Sequence, residues 1–135
     1  MELANLTACK FKATRLDDTM LKRVILRQVD LSGLDLARSC LTLADLSDSQ
    51  CCGTDFTEAN LTGATLLGTN FEKANLESAS LVKARLEGAS FRFADLSRCR
   101  IDGVVFNKCD LTGAVLAPLK EFLANAVLAG ESADS

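Results

Sequence analysis

The sequence predicts an all-β solenoid, a chain of short extended sides joined by tight corners, and three observations carry that reading. First, from Leu6 every fifth residue is apolar through Leu116: 23 consecutive positions held by 16 Leu, five Phe, one Ile and one Cys. Second, the position two before each of these holds ten Ala, four Thr, three Cys, three Val, two Ser and one Leu, and never a charge. Third, seven of the eight Gly (Gly33, Gly53, Gly63, Gly68, Gly88, Gly103 and Gly113) fall two residues after the central apolar position. A period of five fits neither the 3.6-residue helix nor the two-residue strand. It fits a short extended segment that turns one small and one large side chain inward, then a corner. The Gly positions mark that corner, because Gly is the residue that most readily takes the positive φ of a type II turn.

The units with the most specific wording are Ala44-Asp45-Leu46, Ala59-Asn60-Leu61, Ala74-Asn75-Leu76 and Ala94-Asp95-Leu96, which read A(D/N)LXX. The chain resembles the pentapeptide-repeat family over about residues 4–118. The resemblance implies a right-handed quadrilateral β-helix with four units per coil of about 20 residues and about six coils. Coils spaced like paired strands, about 4.8 Å apart, give a rod of roughly 28 Å. One unit cannot bury its own Leu, whereas stacked coils share a continuous core. On this geometry Phe11, Phe71 and Phe91 share one side and form an interrupted ladder.

A stack of coils has two open ends. At the C-terminal end, Pro118 suits a first helical turn. Leu119, Phe122, Leu123, Ala126 and Val127 follow with helical spacing, and Gly130 is a stop. The expected organisation is a β-helix over 1–117, a capping α-helix over 118–129 and a flexible tail over 130–135. Leu119, Phe122, Leu123 and Val127 are the candidate cap; Leu128 beside that stripe, and the role of this region in relatives that dimerise, make the helix a candidate homodimer contact as well. Only three residues precede Ala4, too few for an equivalent N-terminal lid, so a larger bacterial protein or complex is the expected context.

Composition narrows function. The 135 residues include no His, no Tyr and no Trp, which removes the commonest general bases and many metal ligands. The expectation is a non-enzyme with no cofactor and no bound metal. The net charge of −3 argues against direct nucleic-acid binding, and no apolar run is long enough to span a membrane. No basic-then-apolar leader opens the chain, and the six Cys are expected to stay reduced in a cytoplasm. Cys9, Cys99 and Cys109 occupy the small inward position, while Cys40 and Cys52 are expected to point outward.

Sorting charges by side divides that small net charge. The side centred on Leu16, Leu36, Phe56, Leu76, Leu96 and Leu116 sets Asp17, Asp18, Asp35, Asp55, Glu58, Glu77 and Asp95 against Arg15, Arg38 and Arg98, three cations against seven carboxylates, or −4. The next side sets Lys22, Arg23, Lys83 and Arg100 against Asp102, or +3, and carries outward Met20, Cys40 and Leu43. The seven acids form a candidate docking face for a protein of complementary charge.

The functional expectation is a protein–protein interaction or scaffold module on a rigid rod. The alternative implied by the resemblance is a DNA mimic that binds DNA gyrase or topoisomerase IV and confers quinolone resistance. Duplex DNA carries one charge per about 1.7 Å of axis, so such a rod would need on the order of 16 negative charges. The coils here net −1, and no loop interrupts the repeats as it does in the plasmid-borne resistance proteins. Both features favour the scaffold.

Overall fold

The computed structural model describes residues 5–7 and 15–116. The expected helix over 118–129, the tail over 130–135, and Phe11 and Cys9 lie outside the described residues. Every parallel bridge among the described residues joins positions 20 apart, as in Arg15↔Asp35, Asp35↔Asp55 and Asp55↔Asn75. Four five-residue units therefore complete one coil. The described coils stack about five deep, roughly 24 Å at the spacing of paired strands.

Each side contributes a single bridge residue, so the described residues form isolated bridges and turns rather than continuous strands. The cause is length: two inward positions and a corner use up all five residues. Most corners close on a bond from the amide three residues on to the central carbonyl, as in Leu76 O accepting from Ala79 N at 3.0 Å. Beside it successive coils make up to three backbone bonds per side, as in Leu76 N donating to Asp95 O at 2.8 Å, Ser78 N to Ser97 O at 2.9 Å and, in return, Asp95 N to Ala74 O at 3.0 Å.

The corner residue has positive φ at all seven of the Gly positions, as the sequence predicts. It is also positive at 13 non-Gly residues, including Arg38, Leu43, Glu58, Lys83 and Phe93. A left-handed conformation costs an L-residue about 1–2 kcal/mol. The corner amide offsets that strain by bonding the next coil, as in Lys83 N to Asp102 O at 2.9 Å.

The core is the pair of inward columns. Leu36, Leu41, Leu46, Phe56, Leu61, Phe71, Leu76 and Phe91 are fully buried, and Ala44, Ala64 and Ala94 fill the narrow positions beside them. Phe71 and Phe91 stack at 5.0 Å with planes 5° apart, as their shared side requires. Phe56 and Phe106 meet that pair edge-on from neighbouring sides, at 5.7 and 6.2 Å.

Polar atoms in the small column are satisfied in a way the sequence did not disclose. Thr54 Oγ1 donates to Leu31 O at 2.7 Å, Thr69 Oγ1 to Leu46 O at 2.8 Å, and Cys99 Sγ to Leu76 O at 2.9 Å. Each reaches the corner carbonyl of the preceding coil. Cys99 and Cys109 are thus donors as well as small fillers.

The ladder has one gap among the described residues. Arg85 and Val105 do not bridge, and the amides of Leu86 and Val105 make no backbone bond. A surface cleft of about 300 Å³ opens there, lined by Lys83, Arg85, Leu86, Glu87 and Val105 among others.

Candidate docking surface

The seven acidic candidates do fall on one side, but they are not equivalent. Asp35, Asp55 and Asp95 occupy the bridge column, where Asp or Asn caps the following turn. Asp35 Oδ1 accepts from Ala37 N at 3.1 Å, Asp55 Oδ1 from Thr57 N at 2.9 Å and Asp95 Oδ1 from Ser97 N at 2.9 Å. Thr57 Oγ1 and Ser97 Oγ add a hydroxyl bond to the same oxygens. Asn75 makes the same turn with Glu77 N at 3.0 Å. The D/N of the repeat is therefore a corner cap first, since a short side-chain acceptor can satisfy a local N–H. In the bridge-column acids one carboxylate oxygen, Oδ1, belongs to the fold.

The two ends of the side carry ion pairs. Asp18 receives a forked contact from Arg38, Nε and Nη2 each at 3.2 Å. Asp18 holds the Arg38 guanidinium above its ordinary pKa. Asp17 departs from the expectation of an outward acid: its side chain is only 16% exposed, placed between Arg15 at 2.9 Å and Arg38 at 3.6 Å. Arg38 comes from the next coil, directly above Asp18, and its length covers both carboxylates. Asp35 pairs with Arg15 at 3.7 Å and Glu77 with Arg98 at 3.5 Å. Among the described residues, Asp55, Glu58 and Asp95 alone of the seven carry no ion pair. Asp55 and Asp95 stand two coils apart in the bridge column, and Glu58 stacks one coil from Arg38, whose pKa its charge also helps raise.

The neighbouring side presents the opposite pattern. Met20 and Cys40 are bridged across one coil step. Met20 is 65% exposed and Leu43 is 48% exposed. Among the described residues Lys22, Arg23 and Lys83 make no ion pair, and Arg100 pairs only with the exposed Asp102 at 3.7 Å. Cys40 and Cys52 are half-buried rather than fully outward, and Cys51 is enclosed, as its register requires. Burial pushes the Cys51 thiol far up and the Cys99 thiol up to about 12.

Taken together, the 20-residue bridges, the four corners per coil and the two inward columns define a β-helical solenoid. The pentapeptide-repeat family model, eight copies long, matches residues 3–42, 39–77 and 79–117, and the chain belongs to that family. Its described architecture is that of solved relatives. The pentapeptide repeat protein Rfr23 of the cyanobacterium Cyanothece is 26% identical, with a TM-score of 0.57 over 83% of this chain and 87% of that one. A pentapeptide repeat protein from Nostoc is 28% identical, with a TM-score of 0.51 over 83% of this chain and 79% of the other. One from the Arabidopsis thaliana thylakoid lumen is 19% identical, with a TM-score of 0.66 over 98% and 82%, and shows the shared fold. These relatives imply the right-handed quadrilateral form of the helix. No curated protein matches the chain.

Proposed function

We propose that the chain is a non-enzymatic protein-docking rod whose acidic side receives a basic surface of a partner. The observation that carries this reading is that Asp55, Glu58 and Asp95 make no ion pair among the described residues, on a side held flat by inter-coil bonding. Rigid presentation removes most of the ordering entropy that binding would otherwise lose. Exposed charges in a complementary pattern steer association and set register more than they add affinity. The scaffold reading is supported over DNA mimicry by the same charges. The acidic side nets −4 beside a side of +3, where a duplex of this length would present on the order of 16 phosphates.

The test is partner capture from a lysate by the wild-type chain and by the double variant Asp55→Asn/Glu58→Lys, in which Asn keeps the Oδ1 acceptor of the turn as Asn75 does. Loss of the captured protein with unchanged thermal unfolding is the expected result. Equal capture by both contradicts the assignment of the acidic side. Inhibition of gyrase supercoiling at micromolar protein would move the function to the mimic.

A further inference from the structure

We propose that the adjoining basic side is a second docking site, which takes an extended acidic segment anchored by one aliphatic side chain. It is independent of the acidic-side reading. Two kinds of observation meet there. The first is exposed apolar surface with no role in the core. Leu43 stands at φ 60 at a corner where most other residues are Gly or polar. Its isobutyl group lies over Gly63, where a Cβ would come within 2.8 Å of Leu43 Cδ2. The missing side chain of Gly63 thus lets Leu43 lie against the next coil, with about half its surface in water. On the same side Met20, 65% exposed, stands in the bridge column beside Cys40. A fixed, half-exposed aliphatic surface is the kind of place a partner side chain fills.

The second observation is unbalanced charge. Arg23, Leu43, Gly63 and Lys83 form one corner column, each a coil apart. Arg23 lies about 5 Å from Leu43 along the rod and Lys83 about 10 Å on its other side. An extended chain rises about 3.3 Å per residue, so a segment along the column would reach from Arg23 to Lys83 in about five residues. It would place an acid near Arg23, an aliphatic residue on Leu43 and Met20, and a second acid about three residues further on at Lys83.

A second copy of the chain does not fit this description. Its acidic side brings Arg15, Arg38 and Arg98 toward Lys22 and Arg23, and its one exposed large apolar residue among those described, Val115, lies beyond Asp95 at the end of the column. Nucleic acid fits less well than an acidic peptide, because phosphates would leave Met20 and Leu43 uncovered.

The test is titration of the isotope-labelled chain with the peptide Gly-Glu-Ser-Leu-Ser-Ser-Glu-Gly, read by amide shifts. Saturable shifts confined to residues 20–23, 40–43, 60–63 and 80–83 are expected. Replacing the peptide's Leu by Ser, or changing Leu43→Ser or Lys83→Glu in the protein, should weaken binding about tenfold. Asp55→Lys should leave it unchanged. Melting curves confirm that each variant is folded, and Met20→Ser replaces Leu43→Ser if that one is not. The proposal is overturned by shifts elsewhere, by no saturation at millimolar peptide, or by equal binding of the Leu-to-Ser peptide. It is also overturned by self-association through these residues without peptide, or by tighter binding of a single-stranded oligonucleotide.

Discussion

The acidic and basic sides are built from the same repeat and share a corner, yet their charges are used differently. On the acidic side most carboxylates are already committed: Asp35, Asp55 and Asp95 cap turns, while Asp17, Asp18, Asp35 and Glu77 hold arginines. On the basic side Lys22, Arg23 and Lys83 make no ion pair among the described residues, and exposed Leu43 lies between Arg23 and Lys83 in the corner column. Formal charge therefore overstates what the acidic side offers a partner and understates the basic side. The lesson is that in a repeat with an Asp/Asn consensus, acidity is partly a folding device.

The largest effect should come from breaking the column beneath the acidic side. Leu76 is fully enclosed, so Leu76→Asp buries a charge without a partner and abolishes cooperative unfolding in a calorimetric scan. The same change at Val82, half-buried on the basic side, should leave a normal transition. A soluble Leu76→Asp protein with wild-type melting would overturn the inward register.

Next in size is the turn cap. Asp55→Leu removes the acceptor for Thr57 N and Oγ1, and should cost about 1 kcal/mol in denaturant unfolding. Met20→Ser on the basic side should change stability by less than about 0.5 kcal/mol, as an exposed substitution away from caps and core does. Equal effects would mean that the acidic side is no more tied to folding than the basic side.

A smaller difference is expected at the corners. Gly53→Ala and Gly63→Ala both place a Cβ at positive φ, but only Gly63 has Leu43 against it. Gly63→Ala should be the more destabilising by a few tenths of a kcal/mol, because the Leu43 tip must shift. Leu43→Ala in the same chain should remove the excess.

Thiol reactivity separates surface from core without changing stability. Cys40 and Cys52 should react with a thiol reagent at neutral pH within minutes, and Cys51, Cys99 and Cys109 only on unfolding. Burial holds the Cys99 thiol protonated, with its pKa up to about 12. Rapid labelling of Cys99 in the folded chain would contradict the inward column.

The fold was legible because its period is covalent: the five-residue step names both inward columns and the corner, and the coil length implied by the family resemblance sorts every residue onto a side. The Phe71–Phe91 stack and the outward Phe93 follow from that arithmetic alone. Two features of the site escaped. The cap role of Asp35, Asp55 and Asp95 had a signal, an acid two residues before Thr57 or Ser97, but charge sorting treats those acids as free. The covering of Asp17 depends on how far the Arg38 side chain reaches from the next coil, a matter of rotamer rather than spacing. The gap between Arg85 and Val105 has no counterpart in the repeat pattern.

The central claim, that the acids without ion pairs, Asp55, Glu58 and Asp95, are where a partner docks, is tested most directly by zero-length carbodiimide cross-linking of the captured complex. Mass spectrometry then reads which carboxylates have joined partner lysines. The account predicts cross-links at Asp55, Glu58 and Asp95. Cross-links confined to acids on the other sides, such as Asp48, Glu72 or Glu87, with none at these three, would contradict it.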